Sequence, residues 1–290
     1  RMPVADAVKK AINGRKFNSL ITETFDLALE QESEAVSKRI QPFTFVVKDN
    51  FATSISPLPQ EPLDLRNITI GIPKEYAHPM LSVDTVAMWN KAARLLESAG
   101  CKVVDVELPH TEYSIVCYHI LAETDIASNM ARFDGISFGY RNETGKSSFQ
   151  DSLSDSRTNS LNDVIKRRIF VGNYYNIREN KGKYFQQAAK LRRKIKMDFD
   201  EVFKNVDALL TPVTSHSVPL YSVVEAEKFK KRQRLDDYFT QPANMAGLPA
   251  ISVPFGYCND GFPIGLQIIC NYLEDYKTLD LGKVLYELGK

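Results

Sequence analysis

From residue 66 onward, short apolar runs alternate with longer stretches in which apolar residues recur at helical spacing. Residues 68–72 read as a strand. Ser82 is placed to cap a helix that runs to Ala99, with Gly100 as its stop. Val86, Trp89, Ala93 and Leu96 would form the buried stripe of that helix. Residues 102–108 read as a second strand and 111–132 as a long helix, apolar in its first half. Residues 142–160 are polar and Ser-rich, and the pattern there predicts a loop. Helices are expected at 162–172 and 183–204, the second burying Tyr184, Ala188, Leu191, Ile195 and Val202. A strand at 207–210 runs into Thr211-Pro212, and a helix ends near Met245. Strands at 251–254 and 264–270 and a helix at 274–288 complete the pattern.

Upstream, helices are expected at 3–12 and 24–39, followed by an apolar strand at 43–47 that ends in Lys48-Asp49-Asn50. Residues 54–65 hold three prolines without periodicity and read as a linker. The chain therefore divides into 1–53, the linker 54–65, and 66–290. Strands alternating with helices predict an α/β fold with helices on both faces of the sheet.

The charge balance, 37 Lys and Arg against 36 Asp and Glu, removes a bulk drive toward nucleic acid or anionic membrane. The longest apolar runs are strand-length, far short of a membrane span. Four cysteines without a C-x-x-C pair read as buried free thiols, not a metal site. Any targeting segment would lie upstream of Arg1. Lys190, Arg192, Arg193, Lys194 and Lys196 cluster on one helix; a solvated face opposite the apolar stripe accounts for them more simply than a tRNA contact.

Lys48 stands where α/β proteins place their active sites, at the end of a strand. Burial would lower its pKa and make it a general base; a solvated charge where the strand emerges is the other reading. The string Pro42-Phe43-Thr44-Phe45-Val46-Val47-Lys48-Asp49-Asn50 resembles the lysine element of the amidase signature family. Ile70-Gly71-Ile72-Pro73-Lys74-Glu75-Tyr76, Ser128-Asn129-Met130-Ala131-Arg132-Phe133-Asp134-Gly135 and Lys166-Arg167-Arg168-Ile169 resemble stretches of its glutamine-hydrolysing members. So do Asn244-Met245-Ala246-Gly247-Leu248-Pro249 and Pro263-Ile264-Gly265-Leu266-Gln267. These six strings occur in the family's order, and residues 113–121 are most similar to its mitochondrial members.

The resemblance implies an amidase-type mixed sheet and a Ser–cis-Ser–Lys mechanism. In it a neutral lysine draws a proton through one serine while the second attacks the side-chain amide of glutamine. Glycine-rich backbone N–H groups hold the oxyanion. In glutamyl-tRNA(Gln) amidotransferases the ammonia released by the A, or glutaminase, component passes to the B component, and the C component completes the assembly. There glutamate on tRNA(Gln), activated with ATP and Mg, becomes glutamine. The resemblance thus implies no cofactor in this chain, the B and C subunits as partners, and a mitochondrial matrix location.

The sequence departs from the family after the lysine element. It contains no Gly-Gly pair and no Gly-Ser-Ser-Gly run, and Thr53 leads directly into the linker. Ser54 and Ser56 lie in no glycine-rich turn. The expectation is a chain without nucleophile or oxyanion donors, hence inactive, with central elements of the sheet missing. The strands at 43–47, 251–254 and 264–270 should then show uncovered apolar faces. By resemblance, Tyr118, Arg168 and Asp237 match positions that hold the glutamine backbone. Arg168 can clamp the α-carboxylate and Asp237 can accept from the α-ammonium. Without the resemblance, the same residues read as a core tyrosine, a surface arginine and a helix-cap aspartate. A free amidase acting on small amides and a non-catalytic remnant that only binds partner subunits are the competing readings.

Overall fold

The computed structural model describes residues 63–141, 148–218 and 237–290. All of them fall in one compact unit, Pro59–Lys290. The expected elements at 3–12, 24–39 and 43–47, together with Lys48 and the Thr53–Ser54 junction, lie outside the described residues.

Among the described residues five strands form one mixed sheet: β1 (Thr69–Pro73), β2 (Lys102–Val106), β3 (Ala208–Pro212), β4 (Ala250–Tyr257) and β5 (Pro263–Cys270), in the order β2-β1-β3-β5-β4. β1 runs parallel to both β2 and β3, whereas β5 runs antiparallel to β3 and to β4. The helices are α1 (Val83–Ser98), α2 (Ser114–Met130), α3 (Phe149–Ser160), α4 (Asp163–Asn176), the single turn α5 (Arg178–Lys181), α6 (Phe185–Val202), α7 (Gln241–Ala246) and α8 (Asp275–Leu288). α1 and α8 pack on each other and on the sheet; α2, α4, α6 and α7 form a second helical group. Side chains alternate faces along a strand, so consecutive buried positions mean cover on both sides. β3 is buried at every position and β5 from Leu266 to Cys270, which makes the centre of the sheet two-sided, as the pattern predicts.

The start of α1 is capped as expected: the Ser82 hydroxyl accepts from the Thr85 N–H at 3.1 Å, and Gly100 follows with φ +113°. Its buried stripe keeps Trp89 and Leu96 as expected but takes Thr85 and Ala92 in place of Val86, which is exposed, and Ala93, which is half-buried. The Trp89 indole N–H donates to the Leu210 carbonyl at 3.0 Å, and Thr85 faces the Ser215 carbonyl. These two polar contacts turn the helix slightly from the face that apolarity alone selects.

The loop expected at 142–160 is overturned at its second half, which is α3. Ser148 caps it, and only Ser156 is buried along it, so no apolar stripe announces the helix. Tertiary hydrogen bonds join it to the chain instead. The Arg157 guanidinium donates to the carbonyls of Met130, the last residue of α2, and of Phe133 just beyond it, at 3.2 and 3.0 Å.

The expected apolar exposure at the last two strands is also overturned. Ile264, Leu266, Ile268, Ile269 and Cys270 of β5 are buried, because β5 lies between β3 and β4 under α8. β4 buries Val253 and Phe255 and turns Ala250, Ser252 and Pro254 outward, a small and polar face. The Cys270 N–H donates to the Pro249 carbonyl, and alternation then points the backbone of Ala250, Ser252 and Pro254 away from β5. Proline, having no N–H, suits that outer edge.

Candidate functional site

Helix α2 is the common neighbour of the elements that carry the three expected glutamine contacts. Tyr118 stands on α2, Arg168 on α4, and Asp237 opens the 3-10 turn Asp237–Phe239; α2 packs against α4, α6, α7 and that turn. All three side chains belong to half-buried residues. The α2–α4 crossing is close because residue 172 is glycine. A Cβ there would stand 2.0 Å from the Glu123 carbonyl oxygen and 2.9 Å from the Ala127 Cβ.

The start of α2 is pinned to α6. Asp198 accepts the His110 backbone N–H at 2.9 Å and faces its ring Nδ1 at the same distance. One turn on, the Cys117 thiol donates to the Ala188 carbonyl at 3.2 Å. Burial pushes that thiol up to about 11, against the lowering influence of Arg192. Tyr118 follows it, its ring 5.4 Å from that of His119. All four cysteines are buried free thiols, as their spacing predicts.

The turn that carries Asp237 is fastened to the sheet. The Gln267 side-chain amide donates to the Phe239 carbonyl at 3.0 Å and to the Thr211 hydroxyl at 2.9 Å. The Tyr238 hydroxyl donates to the Glu75 carbonyl at 3.1 Å, and the Glu75 carboxylate accepts the Leu108 N–H at 2.8 Å. Burial, reinforced by the negative charges of Glu75 and Glu112, pushes the Tyr238 phenol up to about 12, so it remains a donor at neutral pH. The rings of Tyr76, Tyr238 and Phe239 meet at centroid separations of 5.3–6.3 Å. The sequence reading missed Gln267 and Tyr238 as supporting residues. The available signal was an amide inside the otherwise apolar run of β5.

Of the basic cluster, Arg192 donates to the Met245 carbonyl at 2.9 Å and Lys196 pairs with Asp200 at 2.8 Å. Lys190, Arg193 and Lys194 are exposed, as a solvated face requires. Among the described residues no helix is long and apolar enough to cross a membrane. Chemically, a guanidinium can pair with a carboxylate and a carboxylate with an ammonium; the three residues stand on α2 and on two elements packed against it. Lys48 lies outside the described residues.

The mitochondrial glutamyl-tRNA(Gln) amidotransferase A subunit of Xenopus laevis is 48% identical over 224 residues, 77% of this chain and 43% of that protein. Its Homo sapiens counterpart is 46% identical over 222 residues, 76% of this chain and 42% of that one. The chain thus spans less than half the length of these relatives. The crystal structure of the Thermotoga maritima glutamyl-tRNA(Gln) amidotransferase A subunit superposes with a TM-score of 0.54 at 30% identity, covering 74% of this chain and 41% of that one. Residues 52–279 match the family profile described as Amidase, which takes in most of the chain. With the profile, the relatives and the fold in accord, the chain belongs to the amidase family.

Proposed function

We propose that the chain serves as the glutamine-binding part of a mitochondrial glutamyl-tRNA(Gln) amidotransferase, within its A, or glutaminase, component. In this reading Arg168 clamps the α-carboxylate of glutamine, Asp237 accepts from the α-ammonium, and Tyr118 helps to hold the same backbone end. Its partners are the B and C subunits in the matrix, and Glu-tRNA(Gln) is met indirectly through them. ATP and Mg belong to the partner that activates glutamate. What carries the reading is that α2 packs against both other contact-bearing elements, within a region 46–48% identical to the mitochondrial relatives. The Arg168–Asp237 combination favours an amino acid over the plain amide of a general amidase.

Hydrolysis is a separate matter. The sequence has no Gly-Gly pair and no serine in a glycine-rich turn, so Lys48 has no nucleophile to activate. Loss of the nucleophile from such a unit removes nearly all covalent catalysis. The purified full chain should therefore bind L-glutamine in calorimetry yet release no ammonia from it, with or without the B and C subunits. Failure to bind would overturn the substrate assignment. Ammonia release that vanishes in Lys48→Ala would overturn the inactivity.

A further inference from the structure

Gln267 is a polar residue in the middle of β5, its side chain buried with the residue only 5% exposed. An amide in such a place is costly unless its groups find partners. Its first partner is Thr211, which faces it directly across the β3–β5 ladder, and that hydroxyl accepts at 2.9 Å. With the amide oriented by its own sheet neighbour, its Nε2 also reaches the Phe239 carbonyl at 3.0 Å. That carbonyl belongs to the three-residue turn whose first residue is Asp237. The turn is held a second time by the Tyr238 hydroxyl on the Glu75 carbonyl and closed by the Thr240 N–H on the Asp237 carbonyl.

We propose that Gln267 is a positioning residue for ligand recognition: it fixes the Asp237–Phe239 backbone so that the Asp237 carboxylate is set for the α-ammonium of an amino-acid substrate. The inference rests on the reading of Asp237 given above. Its physical content is preorganisation. A carboxylate on a turn already tied to the sheet loses little freedom on binding, whereas the same carboxylate on a loosened turn must be ordered by the ligand. Because Gln267 acts through Asp237, its removal should affect recognition of the ammonium and nothing else about the ligand.

The test uses the full chain, L-glutamine, and the analogue that lacks only the α-amino group. Calorimetry should give the unaltered chain a preference for L-glutamine of about tenfold, the value of one charge-assisted hydrogen bond. Gln267→Met, near in volume and without an amide donor, should lower L-glutamine affinity by roughly fivefold or more while leaving the analogue within about twofold. Asp237→Asn should abolish the preference. If Gln267→Met weakens both ligands equally, or neither, the inference is overturned while the Asp237 reading stands. If Asp237→Asn leaves the preference intact, or the unaltered chain binds neither ligand, both fall. Should Gln267→Met fail to fold, Thr211→Val removes the group that orients the amide and decides the matter. A loss of about threefold confined to L-glutamine supports the inference, and no selective loss overturns it.

Discussion

The two flanks of α2 are held in different ways. On one flank, the turn bearing Asp237 is tied to buried sheet residues through Gln267 and, by way of Tyr238, to the Glu75 backbone. On the other, α4 with Arg168 approaches α2 through one close crossing at Gly172, and its outer side leaves Phe170 76% exposed, along with Val164 and Tyr174. The difference follows from the groups being presented. In the proposed reading, a carboxylate that meets a small ammonium depends on the backbone for its direction. A guanidinium carries its own planar fork on a long stem. One flank thus rests on buried sheet residues, the more rigid support, and the other on a neighbouring helix.

The strongest way to probe the rigid flank is Ile268→Ala. The side chain is fully buried in β5, opposite Leu210 of β3 and Ile251 of β4. Its truncation should cost about 2–5 kcal/mol. Urea unfolding followed by the single tryptophan, Trp89, whose indole bonds to Leu210, reads that loss directly. A cost under about 1 kcal/mol would mean the sheet centre is looser than its burial indicates.

Next in size is Gly172→Leu. A side chain at this crossing meets backbone, which cannot yield, so the cost should reach the upper end of the ~1–3 kcal/mol typical of overpacking. Here the helical signal in circular dichroism should unfold before Trp89 fluorescence changes, since the strain falls on α2 and α4. Coincident transitions would break the contrast between the two flanks.

The smallest effect is expected at Phe170→Ser, within about 0.5 kcal/mol of the unaltered chain, because an exposed phenylalanine contributes little burial. A melting temperature lowered by many degrees would show that α4 is covered by something in solution, and the exposed flank would need a different account.

Much of the fold is legible in residue order. Ser82 and Gly100 bracket α1, and the apolar runs mark β1, β2, β3 and β5 to within one or two residues, β4 reaching further than its run. Tyr118, Arg168 and Asp237 are found through their resemblance to family motifs, and no periodicity would have singled them out. Helix α3 is not legible, because its support is the Arg157 guanidinium on two distant carbonyls and not an apolar face of its own. The stripe of α1 is legible at Trp89 and Leu96 but shifted by one residue elsewhere, Thr85 and Ala92 being buried in place of Val86 and Ala93; Thr85 reaches a carbonyl far along the chain.

The sequence by itself determined the alternation of strands and helices, the family, and the lack of a Gly-Gly pair or a Gly-Ser-Ser-Gly run, since all three depend on local pattern and residue identity. Only the tertiary structure decided that β5 lies inside the sheet and not at its edge, which is why its apolar side chains are covered. Only the tertiary structure, too, gave Gln267 a partner in Phe239, 28 residues away. A buried amide in a strand is a liability or an anchor according to what folds against it, and no local pattern carries that information.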